Sequence, residues 1–512
     1  MSYLMGIDIG TTGAKTLIID EKGAVAASSN FEYPLQSPAP GWAEQDPAQW
    51  WDAVKSGIPA ALTAAGLRGD QVAALGLSGQ MHGSVFLDQA DQVIRPCILW
   101  CDQRTGEQCH WITDTVGKDL LTQETCNACL TGFTAGKIIW LRQNEPANYA
   151  RVRKILLPKD YIRLRLTGEY ATEVSDASGT CLLNVPQRRW SDKVLAALQL
   201  DQSLLPAVFE SPVVSGRISA SAAEVTGLKA GTPVVGGGGD QAAGGVGTGI
   251  VRSGLVSSST GTSGVVFAFL DKPTFDPQLR THTFCHAVPG KWQVMGAALS
   301  AGGSLRWFRD AFAAPEKEIA AQMRIDPYDL LTQEAAQAQP GCEGLIFLPY
   351  LTGERTPHAD PSARGVFFGI SLRHQKRHFI RAVMEGAAFG MKDSFDILQE
   401  MGVPIQQVRA TGGGARSALW RQIQADVTGL PHHTINVEEG PAYGVALLAA
   451  VGAGVFSSVE EACDATISLR SRTDPIPDNV ALYRECHRIF RQLYRNLKAT
   501  FAETAQLVAR RP

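Results

Sequence analysis

Two Gly-Thr turns, each set between runs of apolar residues, constrain this chain more than any other feature. In residues 5–20, MGIDIGTTGAKTLIID, the turn Gly10-Thr11-Thr12-Gly13 separates two strand-like runs and predicts a β-hairpin. In residues 255–269 a second hairpin is predicted, turning at Gly261-Thr262-Ser263-Gly264. Nearly the same turn recurring about a domain's length later points to a duplicated architecture in which each half offers a phosphate loop. Backbone N–H groups and threonine hydroxyls at such turns can hold phosphate, and Asp8, at the end of the first strand, adds a carboxylate able to order Mg²⁺. Taken singly, either turn also fits an ordinary hairpin.

Ahead of the second hairpin the chain runs VGGGGDQAAGGVGTG from Val235. Four consecutive glycines lose much conformational entropy on folding, so they belong where backbone bends sharply or approaches something closely. Asp240 follows them, between a predicted strand at 233–236 and a short predicted helix at 240–247. Alone it reads as a helix N-cap or as a carboxylate poised beside bare backbone. Two lobes with Asp8 and Asp240 converging on a phosphate chain in the cleft would make it the second.

With 512 residues the chain is too long for one ordinary core. A net charge of -3 gives no general electrostatic case for nucleic acid or an anionic membrane, and a small-molecule partner fits better. No apolar run is long enough to span a bilayer, and the start lacks a signal-peptide pattern. The 10 scattered cysteines then point to reduced thiols in the cytoplasm. Cys126 and Cys129 form the sole CxxC, with Cys109 and Cys181 isolated in sequence, so no zinc site is expected.

Between these landmarks, a third strand is expected over 24–31 and a helix after Asp46-Pro47 through Trp50, Trp51, Val54 and Ile58. An apolar strand over 72–78 runs into Gly79-Gln80-Met81-His82-Gly83, a strand end where an α/β fold presents substrate-binding groups, although a lone His is as readily a structural hydrogen-bonder. Helices are expected at 133–141, 159–166, 298–311, 327–338 and 379–401, the last with Gly386 inside it for close packing. Residues 167–215 are assigned no chemistry, and Gly353-Glu354-Arg355-Thr356-Pro357 either lines the cleft or caps an insertion. A strand at 408–410 enters Thr411-Gly412-Gly413-Gly414-Ala415-Arg416-Ser417, where a flat ring or phosphate could lie on backbone, or the chain simply turns. Helices follow Gly440-Pro441 and Pro477. Neither GxxxxGK[ST] nor GxGxxG occurs, so the P-loop and the Rossmann fingerprint do not account for these glycines.

The stretches GIDIGTTGAK, GWAEQDP, GFTAGKIIW, GGGGDQAAG, SSSTGTSG and TGGGARS, in this order and spacing, resemble the FGGY carbohydrate kinases, in the superfamily of sugar kinases, chaperone ATPases and actin. The resemblance implies an α/β, two-lobed actin-like ATPase (ribonuclease H-like) fold with a duplicated βββαβα core and a central cleft. It divides the chain into 1–245, 246–476 and a C-terminal helix and tail, 477–512, packing back on an earlier domain. It implies ATP-dependent phosphorylation of D-xylulose at its 5-hydroxyl, because glycerol-specific members carry Arg-Glu where Met81-His82 stand. Ribulose, glycerol or gluconate as substrate, and a chaperone-like ATPase, are the alternatives. Carried over, Asp240 accepts the proton and Asp8 orders Mg²⁺, through water. Met81, His82, Trp100, Asp102, Asp240 and Gln241 surround the sugar, Gln241 standing where some relatives have Asn. ATP meets Gly10, Thr11, Thr12, Lys15, Thr260, Gly261 and Thr262 through its phosphates, and Gly412, Gly413, Gly414 and Ala415 at the adenosine. The partners implied are a sugar and ATP, with no nucleic acid and no membrane, and a homodimer is compatible.

Overall fold

The computed structural model describes residues 2–509; Arg510, Arg511 and Pro512 of the expected tail lie outside the described residues. The first half builds one mixed sheet. Tyr3–Ile9 (β1), Gly13–Asp20 (β2) and Val25–Glu32 (β3) form an antiparallel meander, and Val72–Gly79 (β4) lies parallel to β1. Val214–Arg217 (β5) and Pro233–Val235 (β6) extend it in the order β5-β6-β4-β1-β2-β3, while Gly238–Gly239 (β7) pairs with the end of β4. β1 and β4 are almost wholly apolar because strands inside the sheet are covered on both faces.

The second half repeats the plan. Gly254–Thr260 (β8), Gly264–Leu270 (β9), His282–Cys285 (β10), Trp292–Ala298 (β11), Ile405–Thr411 (β12), His432–Ile435 (β13) and Leu469–Thr473 (β14) run in the order β10-β11-β9-β8-β12-β13-β14. In both sheets a hairpin is followed, on the side of its first strand, by a parallel strand, a second parallel strand and an antiparallel edge.

The helices that matter for the cleft are Pro47–Ala65 (α1), Thr134–Asn144 (α2), Pro158–Thr167 (α3), Val174–Ser178 (α4), Asp240–Gly247 (α5), Gly302–Phe312 (α6), Lys376–Glu400 (α7), Ala418–Thr428 (α8), Pro441–Gly452 (α9) and Pro477–Ala509 (α10). Sequence halves and spatial halves do not coincide, for α9 lies against β1 and β4 of the first sheet and crosses α5. The crossing is close: a Cβ on Gly444 would come within 1.8 Å of Ala243 O, so only glycine fits. α10 buries Tyr483, Phe490 and Tyr494 and packs on α7 and α8, with Tyr483 Oη 2.6 Å from Glu385 Oε1. Gly386 of α7 does carry a close contact, since a Cβ there would lie 2.3 Å from Phe347 O.

Three expectations need correction. The helix expected from 298 begins at Gly302: Ala298 still pairs with Gly264 across β11 and β9, and this tertiary pairing overrides helix propensity. Residues 167–215, assigned no chemistry, contain the buried Glu173 and Asp176. Cys109 and Cys181 are not isolated in space, since both thiols meet that of Cys129.

Candidate active site

The turn between β1 and β2 is closed by Gly10 N–H to Gly13 O at 3.0 Å. Its carbonyls are taken from outside: Tyr33 Oη donates to Gly10 O at 2.6 Å, Tyr33 N–H to Thr12 O at 3.2 Å, and Gln45 Nε2 to Thr11 O at 2.6 Å. The N–H groups of Thr11 and Thr12 make no bond among the described residues. The β8–β9 turn is built on the same principle. Gly302 N–H donates to Gly261 O at 2.8 Å, and Ala301 and Gly303 N–H to Thr262 O at 3.0 and 2.9 Å, leaving Thr262 N–H unused. Each turn is thus held by its carbonyls and offers its donors outward, the arrangement an anionic phosphate chain requires.

Asp8, last but one in β1, stands opposite Lys15 on β2 and Ser78 on β4. Burial, only partly offset by Ser78 and the Lys15 charge, lifts its pKa to about 6, and its Oδ1 has no partner among the described residues. A hard, buried carboxylate oxygen with no internal donor fits a divalent cation such as Mg²⁺.

Asp240 opens α5. Burial, reinforced by the Asp8 charge, raises it to about 7, which poises it as a base near neutral pH. Its place is fixed by the four glycines, though not through a ligand. Gly237 has φ +74, and a Cβ there would lie 1.9 Å from Leu77 O; at Gly239 it would lie 2.9 Å from Met81 Cγ. The strand is also gripped from behind. Gly239 N–H donates to Glu173 Oε1 at 3.2 Å and to Ser175 Oγ at 3.1 Å. Arg163 of α3 donates to Val235 O at 2.8 Å and Gly236 O at 2.6 Å. Lys159 Nζ lies 2.6 Å from Asp160, 3.2 Å from Asp176 and 3.6 Å from Glu173, and all five charged side chains are fully buried. Burial pushes the Asp176 carboxyl well above the usual carboxylate range, which eases the crowding of acids around Lys159.

Met81 packs against Gly239, the residue before Asp240, and His82 follows it in the chain. His82 has φ +70 and bonds Gly179 O through Nδ1 at 2.8 Å, while burial and the Lys137 charge keep the ring neutral. Its strained backbone is pinned by Lys137 Nζ at 2.7 Å and Thr134 Oγ1 at 3.0 Å, both donating to His82 O. Trp100 Nε1 donates to Thr11 Oγ1 at 3.0 Å, tying the segment after Leu99 to the first turn. Asp102 is not brought into this wall. It is fully buried and spent on Ala43 N–H at 2.7 Å and on the Arg104 guanidinium at 2.7–3.0 Å.

A cavity of about 620 Å³ opens between α5, β8, β12 and α9, lined by Asp240, Gln241, Gly412, Gly413 and Ala415 among others. Gly414 is buried against Thr260, whose hydroxyl faces Met391 Sδ at 3.7 Å rather than the cavity, and Lys15 forms an ion pair across the cleft with Glu439. Sequence reasoning missed Lys137, Glu173, Arg163 and Lys159. The available signal was a basic or acidic residue inside an otherwise apolar stretch, which marks a charge the fold must pair.

The pattern of the FGGY carbohydrate kinase N-terminal domain matches residues 3–247, and that of the C-terminal domain residues 256–453. A xylulose kinase of Lactococcus lactis subsp. lactis is 39% identical over 97% of this chain and 97% of its own. One from Escherichia coli strain K12 is 39% identical over 96% of this chain and 99% of its own. A solved structure described as a xyloylose kinase from Brucella ovis superposes with a TM-score of 0.88 at 35% identity, covering 97% of this chain and 100% of that one.

Proposed function

The chain belongs to the FGGY family of carbohydrate kinases, and we propose from that premise that it phosphorylates D-xylulose at O5 with ATP. The observation that carries the reading is the meeting of Asp8 and Asp240 at the floor of one cleft, next to Met81-His82, with outward-facing donors on both turns. The xylulose assignment is further supported by relatives of that specificity spanning nearly the whole chain.

The nucleotide lies in the cavity with its adenosine against Gly412, Gly413 and Ala415 and its phosphates between the two turns. The sugar lies over Met81 and His82 with its 5-hydroxyl at Asp240, and the adjacent Gln241 amide contacts it. A sugar hydroxyl is far too weak an acid to be deprotonated in the ground state. Asp240 therefore orients it and takes its proton late, as the bond to phosphorus forms. Neutral His82 supplies a hydrogen-bonding ring without adding charge beside the acceptor. A Mg²⁺ ion held through water at Asp8 would neutralise charge on the transferring phosphates. Thr11 and Thr12 N–H, with Thr262 N–H opposite, align the phosphate chain, and closure of the lobes excludes the water that would otherwise hydrolyse ATP. The ten unpaired cysteines fit a reducing compartment, the cytoplasm.

The test is ADP release measured over D-xylulose, ribulose, glycerol, gluconate and fuculose. D-Xylulose is expected to give the highest kcat/KM. A clear preference for another sugar removes the xylulose assignment and leaves the kinase; no sugar-dependent ADP release removes both.

A further inference from the structure

The loop Gly353-Glu354-Arg355-Thr356-Pro357 lies against the end of β11. Thr356 N–H donates to Ala297 O at 3.0 Å, Thr356 Oγ1 accepts from Ala297 N–H at 3.1 Å and donates to Arg280 O at 2.9 Å, and Glu354 Oε1 accepts from Leu299 N–H at 2.9 Å. These bonds fix where the Arg355 side chain starts. They also join the loop to the segment of Ala301, Gly302 and Gly303 that holds the β8–β9 turn.

The Arg355 guanidinium makes no hydrogen bond and no ion pair among the described residues, although the residue is largely shielded from solvent. Its neighbour Glu354 does not neutralise it: burial raises that carboxyl to about 8, so it is mostly protonated at neutral pH. The Arg355 charge is felt by His82 and Cys101 of the first lobe and by His282 of the second. Arg355 therefore faces the His82 and His282 end of the pocket.

The surroundings at that end are shared by both lobes. The His82 ring lies 4.7 Å from Phe133 and 6.1 Å from Phe284, and His282 lies 5.8 Å from Phe133 and 6.1 Å from Phe284. His282 is buried and its Nε2 has no partner. Polar groups withdrawn from water without partners are costly, and a polyhydroxylated ligand would supply the missing acceptors. A guanidinium presents paired donors suited to two neighbouring oxygens, which a ketose offers along its chain.

We infer that Arg355 is a sugar-binding residue contributed by the second lobe, donating to the ketose oxygens remote from the phosphorylated hydroxyl, so that sugar bound on Met81 and His82 draws the lobes together. This rests on the sugar-kinase reading above. His82 and Phe133 belong to the first lobe and His282, Phe284 and Arg355 to the second, so Arg355 adds the charged contact through which closure responds to the sugar.

The experiment compares wild type with Arg355→Ala and Arg355→Lys, measuring KM for D-xylulose and for ATP, with X-ray scattering in the presence and absence of D-xylulose. For Arg355→Ala the sugar KM is expected to rise at least about 30-fold while the ATP KM stays within about twofold. Arg355→Lys should recover only part of the loss, since a point charge cannot form the paired contact. Wild type should contract on adding D-xylulose, and Arg355→Ala should not at the same sugar concentration. The inference is overturned if the sugar KM changes less than threefold, or if ATP KM rises in parallel, which would mark a support for the second turn. An unchanged ATP KM and melting temperature show that the variant is folded. If wild type prefers another sugar of the panel, the substrate reading fails, and the same comparison with that sugar decides the role of Arg355.

Discussion

The two hairpins are alike in backbone and unlike in charge. In β1, Asp8 stands opposite Lys15 and Ser78; at the corresponding place in β8, Ser259 stands opposite Val265 and Thr411. Both turns have their carbonyls satisfied by a supporting layer and their N–H groups turned outward, yet only the first places a carboxylate in the strand leading into its turn. In the proposed reading the strand before the first turn brings the metal-ordering carboxylate, whereas the strand before the second brings the uncharged Ser259, against which anionic oxygens can lie without repulsion.

That reading is broken most severely at Asp240. Asp240→Asn keeps the shape and the helix start but cannot take a proton, so kcat should fall about a thousandfold, within the range general-base loss usually produces. ATP affinity, measured by fluorescence or calorimetry, should change less than about threefold. Normal turnover by this variant would remove the base assignment. The converse change gives the second strand the charge it lacks. Ser259→Asp sets a carboxylate in the nucleotide cavity, and at an effective dielectric near 20 its repulsion of the phosphates amounts to about 2 kcal/mol, or about a 30-fold rise in ATP KM. An unchanged ATP KM would show that the β8–β9 turn does not face the phosphates.

How much of this was legible in the sequence depended on what kind of signal each part left. The strands β1, β2, β4 and β9 were plain because interior strands are apolar and glycine-bounded, and Asp8 and Asp240 stood out because each adjoins such a boundary. β10 and β11 were missed since their pattern, HTFC and WQVMGAA, carries no period-2 alternation once both faces are covered. The cluster of Lys159, Arg163, Glu173 and Asp176 is spread over α3, α4 and the strand between them, and its purpose, holding residues 235–239, exists only after folding. Position beside Trp100 likewise says nothing about which way the Asp102 carboxylate turns, and it turns to Ala43 N–H and Arg104.

The charge asymmetry should also be visible in pH dependence. Asp240 acts when ionised and its pKa is raised to about 7, so kcat/KM for D-xylulose should rise with pH through that value and level off above it. Asp8→Asn removes the charge that helps to raise it, so the acid limb should move to lower pH by up to about one unit, alongside a lower kcat. An unmoved limb would mean the two carboxylates are not coupled. Stability runs the other way. A carboxyl whose folded pKa exceeds its unfolded one stabilises fully below about pH 4 and loses that contribution as pH rises towards 7. Asp240→Asn should therefore melt higher than wild type at pH 8, with the difference shrinking towards pH 4.

The smallest expected effect concerns the ion pair across the cleft near the first turn, Lys15 with Glu439. Its side chains are 34% and 27% exposed, so the pair is worth at most about 1 kcal/mol and is screened by salt. If Lys15 exchanges Glu439 for phosphate when ATP enters, Glu439→Gln frees the cation in advance and should lower ATP KM by up to about threefold at low salt, with no difference at high salt. Lys15→Met should raise ATP KM instead. A rise in both variants would make the pair a clamp that ATP binding preserves, and the charge of the first lobe would then end at Asp8 rather than extend to Lys15.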